Sequence, residues 1–208
     1  MKILSVDIGT TNLKASVVKV EDSKLEVLES ITERIPPETL EPGAYEHNPK
    51  VVENLFAKVV KHLSAWRPEA VSLSTYLFGA VFVDEAGNPL TNIITWMDER
   101  PLEALGGLRT YAGELYRRTG CPLIHIYALP KILWLKKARR EVFARVKGVW
   151  DAKSYLMHRL VGEALTDLST ASGTFQILNI HTLRWDGLAL ELAGIDEKAL
   201  PKLLEGDS

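Results

Sequence analysis

A chain of 208 residues that is 46% hydrophobic and 25% charged can bury a substantial core and reads as one globular domain or two small ones. Its net charge of -2, with the basic residues dispersed, lacks the electrostatic footprint of a nucleic-acid binder. One cysteine, Cys121, excludes an internal disulfide; with no leader-like N-terminus and no apolar run of membrane-spanning length, the expected compartment is the cytoplasm, without membrane attachment.

The chain opens with an apolar run, residues 2–8, in which Ile3, Leu4, Val6 and Ile8 surround Asp7. That pattern predicts a strand too apolar to lie on a surface, and so a buried Asp7 that needs a partner. Hydrated Mg2+ is a suitable one, since this hard cation is usually held by one or two carboxylates together with substrate phosphates. Gly9 then allows a phosphate to approach the backbone. Thr10 and Thr11 offer hydroxyl donors beside backbone N–H groups, and Lys14 adds positive charge. A plain hairpin with a Gly/Thr/Asn-rich turn capped by Asp7 explains the same residues, and on this segment alone both readings stand open.

Alternation over residues 25–35 predicts a third strand of an antiparallel meander, followed by a loop at Pro36-Pro37 and Pro42-Gly43 that runs through His47. Val51, Val52, Leu55, Phe56, Val59, Val60 and Leu63 recur at helical spacing, so a helix runs from Pro49 to about residue 65, stopped by Pro68. Residues 69–75 and 79–83 read as strands, and the order of elements gives an α/β layer arrangement. Beyond Arg100 three helices are expected, at 101–118, 129–146 and 152–160, with a short strand at 146–149. A turn-rich stretch from 162 to the end contains one further helix at 186–193. The basic cluster Lys136, Lys137, Arg139 and Arg140 reads as a solvated helix face, and the five scattered histidines lack the spacing of a zinc site.

Four separated stretches, in order, resemble the FGGY family of carbohydrate kinases: VDIGTTNLKASVV at the start, ITWMDER at 94–100, RTGCPL with LPKILWL at 118–135, and SYLMHRLVGEALTDLSTASGT at 154–174. Among its members the gluconokinase-like and xylulokinase-like wording is the nearest. The resemblance implies a ribonuclease-H-like domain of the sugar kinase/heat-shock/actin (actin-like ATPase) superfamily, with a mixed five-stranded-type sheet flanked by helices. Residues 1–208 would be the amino-terminal domain, incomplete at its C-terminal end, and the second, nucleotide-binding domain would be absent from a chain less than half the family's usual length. The implied activity is ATP-dependent phosphorylation of a sugar, polyol or sugar acid. Asp7 is then the catalytic, Mg2+-holding carboxylate, Gly9, Thr10, Thr11 and Lys14 bind phosphate, and Trp96, Asp98 and Arg100 bind the carbohydrate.

An indole face suits the C–H face of a sugar, and Asp98 and Arg100 can take up hydroxyls; taken alone, the same three residues read as a packed Trp beside an exposed ion pair. Asp167, Ser169, Thr170, Ser172 and Thr174 are read as satisfying backbone groups in a turn rather than as a substrate cluster. Lys131, between apolar neighbours, is read as a snorkelling surface lysine, and Lys131, Lys153 and Cys121 receive no role. Two departures from the family stand out. Leu77 and Phe78 occupy the turn where many relatives carry a polar pair, which implies a less polar or different substrate at that edge. No Asp matches the family's catalytic base in its Gly-rich segment, and Asp207 is not assigned to it. The alternative reading is therefore a catalytically inactive binding module, or one that docks to a separate C-terminal kinase half; homodimerisation is left open.

Overall fold

The structure, a computed structural model, describes residues 1–22 and 24–204. It comprises two compact units: Met1–Pro37 with His47–Tyr76, and Glu38–Glu46 with Leu77–Ser208.

The first unit is built on strands β1 (Lys2–Ile8), β2 (Asn12–Glu21) and β3 (Lys24–Arg34). The chain returns to it through β4 (Glu46–His47), helix α1 (Pro49–Leu63) and strand β5 (Ala70–Thr75). The sheet order is β3-β2-β1-β5, with β1–β2 and β2–β3 antiparallel and β1–β5 parallel. Four strands of the mixed sheet lie among the described residues, and residues 81–83 pair within the second unit. The period of two is strict in the centre: Leu4, Val6, Ile8, Leu13, Ala15 and Val17 are buried, while Ser5, Asp7 and Lys14 are exposed. Helix α1 packs on β2 and β3 and buries Val52, Phe56, Val59 and Leu63, each contributing about 1.5–3 kcal/mol if fully withdrawn from water. Asn48 starts α1 by accepting from Lys50 N at 3.0 Å ahead of Pro49, a residue suited to the first helical position. A short 3-10 turn, Ser64–Trp66, and a left-handed Arg67 then end it. Strand β5 forms a sheet edge among the described residues, with Ala70, Val71, Ser72 and Ser74 exposed.

In the second unit β6 (Val81–Val83) lies beside β7 (Ile93–Ile94), through a bridge from Ala80 to Ile94. Helices α2 (Ala112–Thr119), α3 (Ala128–Ala138) and α4 (Arg140–Phe143) lead to β8 (Gly148–Trp150), which is antiparallel to β6. The chain continues through α5 (Ala152–Val161), β9 (Leu165–Asp167), α6 (Leu168–Phe175), β10 (Leu178–Asn179), β11 (Arg184–Trp185), α7 (Gly187–Ala193) and β12 (Lys202–Leu204). Its core brings together Phe82, Ile94, Leu108, Leu129, Phe175 and Trp185.

Three helical expectations are corrected here. Residues 100–111 form a 3-10 segment before α2, around Gly106-Gly107, which favours no helix. The helix expected at 129–146 breaks at Arg139, whose backbone leaves helical angles while its guanidinium reaches Glu41. Within the supposedly turn-rich tail lies α6, its poor helix formers Ser, Thr and Gly nucleated by the Asp167 cap. Asp207 lies outside the described residues.

Candidate functional site

At the end of β1, Asp7 stands directly across from Lys14 of β2, on the same exposed face of the sheet. Directly opposed side chains of opposite charge in such a pair approach to roughly 5 Å between Cβ atoms. This corrects the expectation of a buried Asp7. The inward positions belong to Leu4, Val6 and Ile8, so alternation sends Asp7 outward. An exposed carboxylate next to an ammonium remains free to ligate a hydrated cation. Between the strands, Gly9 N–H donates to the Asn12 carbonyl at 2.9 Å. A Cβ on Gly9 would come within 3.3 Å of that oxygen, so the tightness of the turn itself favours glycine. The Thr11 carbonyl accepts from Ile35 N–H at 2.8 Å, which ties the far side of the turn to the chain beyond β3.

Sequence reading passed over the support beneath this turn. His47 has no exposed surface; its Nδ1 lies 3.0 Å from the Tyr76 hydroxyl, and the two rings meet edge to face at 5.3 Å. Burial lowers its pKa, and a hydrogen bond to the backbone of Thr10 acts against that shift. A histidine just before the Asn-Pro helix start was the available signal. Thus Asp7, Gly9, Thr10, Thr11 and Lys14 gather in the first unit around one turn, buttressed by His47 and Tyr76.

The other predicted residues belong to the second unit. Trp96 is 44% exposed. Asp98 has no exposed surface with which to meet a hydroxyl: Tyr45 N–H donates to it at 3.0 Å, Arg100 N–H at 3.1 Å, Arg100 Nε at 3.0 Å and Arg100 Nη2 at 2.7 Å. Arg100 also reaches Glu46 and, at 3.2 Å, Glu41, and its guanidinium lies over the Trp134 ring at 4.5 Å. Burial alone would lower its pKa, but its carboxylate partners win and raise it, so the guanidinium stays charged. Of the three residues in this motif, Trp96 is the one with surface to offer a ligand; Asp98 and Arg100 brace the segment that carries it.

Lys131 is not a snorkelling surface residue. It is completely buried in α3, and its ammonium donates to the Phe78 carbonyl and, at 2.6 Å, to that of Ile126. Burial lowers its pKa to about 7 against the opposing attraction of Asp98. Asp167, by contrast, satisfies a local backbone group as expected, though at the start of a helix rather than in a turn. It caps α6, accepting from Thr170 N–H at 2.8 Å and the Thr170 hydroxyl at 2.7 Å, and it pairs with Lys153.

A mixed sheet of this order with α1 across it, followed by a largely helical unit, is the α/β fold of the N-terminal domain of actin-like sugar kinases. The gluconate kinase of Lactobacillus acidophilus superposes with a TM-score of 0.92 at 28% identity, over 100% of this chain and 42% of that one. Ligand-bound xylulose kinase from the same organism gives 0.93 at 28% identity, with the same coverage. The chain belongs to the FGGY family of carbohydrate kinases, matching its N-terminal domain over residues 2–208. It is also similar to a gluconokinase of Bacillus subtilis (strain 168), 33% identical over 97% of this chain, and spans 40% of the length of that relative. No helix among the described residues is long and apolar enough to cross a membrane.

Proposed function

We propose that this chain takes part in ATP-dependent phosphorylation of a carbohydrate in the cytoplasm, as the portion that holds the sugar, polyol or sugar acid and steadies the phosphates. The observation that carries the reading is the exposed Trp96 indole, two residues from a fully buried carboxylate whose bonds with Arg100 and Tyr45 hold the segment rigid. A rigid aromatic face suits a carbohydrate ring, because little conformational entropy is lost when it is covered. Family membership over nearly the whole chain supports the reaction class.

The turn at Gly9–Asn12 fits the phosphates of ATP. Bound Mg-ATP would supply the transferable phosphoryl group together with a cation that neutralises its charge. Asp7 would hold the cation through a hard oxygen ligand, Gly9 admits a phosphate close to the backbone, the Thr10 and Thr11 hydroxyls can donate to its oxygens, and Lys14 balances its charge. Phosphoryl transfer depends mainly on positioning and charge stabilisation, and in this reading these residues would contribute to both. The general base and the nucleotide-binding domain would come from polypeptide beyond these 208 residues, in keeping with relatives more than twice as long.

The test is Trp96 emission, titrated to millimolar gluconate, xylulose and glycerol without ATP. Since the chain has five tryptophans, wild type is compared with Trp96→Phe. A saturable change with one of these three compounds that is lost in Trp96→Phe is expected. No Trp96-dependent change with any of them, either in this chain or after addition of a C-terminal kinase half, overturns the carbohydrate reading. It would leave the alternative of an inactive interaction module; under either reading the isolated chain with Mg-ATP should release ADP far below the roughly 1 s-1 of ordinary kinases, so only the assembled two-domain protein separates the two by turnover.

A further inference from the structure

Phe78 holds a backbone φ of +64°, a left-handed conformation that is a genuine outlier for a bulky side chain. Such a conformation persists only when its surroundings over-determine it, and here they do so from both ends. The Phe78 N–H donates to Thr174 Oγ1 of α6 at 3.2 Å, and its carbonyl receives the buried Lys131 ammonium from α3. The half-buried Phe78 packs its ring edge to face on Tyr127 at 5.5 Å, and the preceding Leu77 is 39% exposed. Leu77 rests on α6 so closely that a Cβ at Gly173 would come within 3.3 Å of its Cδ1.

Ala80 and Ile94 exchange two backbone hydrogen bonds, at 3.0 and 2.8 Å. Phe78, two residues before Ala80, and Trp96, two after Ile94, therefore lie at the same end of this ladder. Burying an ammonium without a carboxylate in contact is expensive, and the two carbonyls it meets are a poor exchange for water unless one of them must be held.

We propose that Lys131 is a positioning residue for the Leu77–Phe78 turn, fixing through the Phe78 carbonyl the left-handed conformation that displays Leu77 as an apolar wall of the carbohydrate site. The wall rests on the functional reading above; the clamp stands on geometry alone. The chemistry implied is a ligand that meets this edge with C–H groups rather than hydroxyls.

The clamp is tested without any sugar, by amide exchange and chemical-shift titration of the 15N,13C-labelled full chain, wild type and Lys131→Met. Removing a hydrogen bond from a charged donor should lower the protection of Phe78 N–H by about tenfold or more, with Phe82 and Ile94 amides unchanged. In wild type the Phe78 carbonyl shift should step with the Lys131 Cε shift near neutral pH. The charged and titratable groups around Lys131 are Asp98 and His125, the latter also feeling Glu99. A His125→Gln variant should keep the step, which assigns it to Lys131. Unchanged Phe78 protection in Lys131→Met, or a uniform loss that includes Phe82 and Ile94, overturns the proposal. Should Lys131→Met fail to fold, a wild-type Phe78 carbonyl shift that does not follow Lys131 Cε overturns it equally. A silent Trp96 titration would count against the carbohydrate reading and leave these outcomes intact.

Discussion

Replacing Arg100 by Met decides whether the Asp98–Arg100 pair is a brace or a pair of hands for the substrate. The substitution keeps much of the side-chain bulk over Trp134 and removes the guanidinium that bonds Asp98 through Nε at 3.0 Å and Nη2 at 2.7 Å. Asp98, with no exposed surface, then keeps the backbone N–H groups of Tyr45 and residue 100 but loses its countercharge. Breaking a buried pair by removing one partner costs about 3–5 kcal/mol, and losing the cation over Trp134 adds about 0.5–2 kcal/mol. The exposed Glu41 arm contributes little. With the two retained N–H bonds pulling the total down, a net loss of about 4 kcal/mol is expected, or roughly 8–16 °C in melting temperature for a chain of this size. Thermal and urea unfolding, followed by circular dichroism, measure it. In the double variant with Asp98→Asn, which no longer buries a charge, at least half the loss should return. A single Arg100→Met variant within about 1 kcal/mol of wild type, with no gain from Asp98→Asn, would refute the brace and return both side chains to the ligand.

Lys131 makes stability rise with pH, because burial disfavours its charged form. Its folded pKa, near 7, lies below the ordinary 10.5, so the unfolded chain binds more protons between these values; wild type should gain on Lys131→Met from pH 7 to 10, by at most about 5 kcal/mol, in parallel urea titrations. Asp167 acts in acid. Burial raises its pKa, but bonds from Lys153 and Thr170 outweigh that and hold it at about 2, so about 2 kcal/mol present above pH 4 should drain away towards pH 2 and be missing throughout in Asp167→Ala. Asp7→Asn, at an exposed position, should leave the melting temperature within about 2 °C of wild type yet abolish Mg-ATP turnover once the chain is assembled with a C-terminal kinase half; persistent turnover would make Asp7 structural.

The hairpin, α1 and the family were legible because local rules agree there: an alternating strand, a glycine turn and a helix with a clean apolar face. Asp7 was misplaced since the Ile3-Leu4 doublet hides the alternation that Leu4, Val6 and Ile8 share, and only the pairing with β2 shows which face is covered. Lys131 was misjudged for a different reason. Its helix is buried at Ala128, Leu129, Pro130, Ile132, Trp134 and Leu135, so it is apolar nearly all round, and a lysine in such a helix has no surface to reach. The run itself carried that signal. The Asp98–Arg100 brace could not be read, because its other arms, Tyr45, Glu46 and Glu41, come from a loop some fifty residues away whose docking no local pattern encodes.

Strand β5 gives the first unit a practical temperament. Its sequence, AVSLST, has neither the proline nor the lysine by which natural edges repel one another, and Val71 lies 56% exposed along it. Among the described residues its outer row of N–H and C=O groups faces no further strand. Such a row is a template for strand addition, with the β5 of a second copy as a ready complement. Self-association through this edge is expected to grow with concentration and to be suppressed in Val71→Lys, which sedimentation at two concentrations would read.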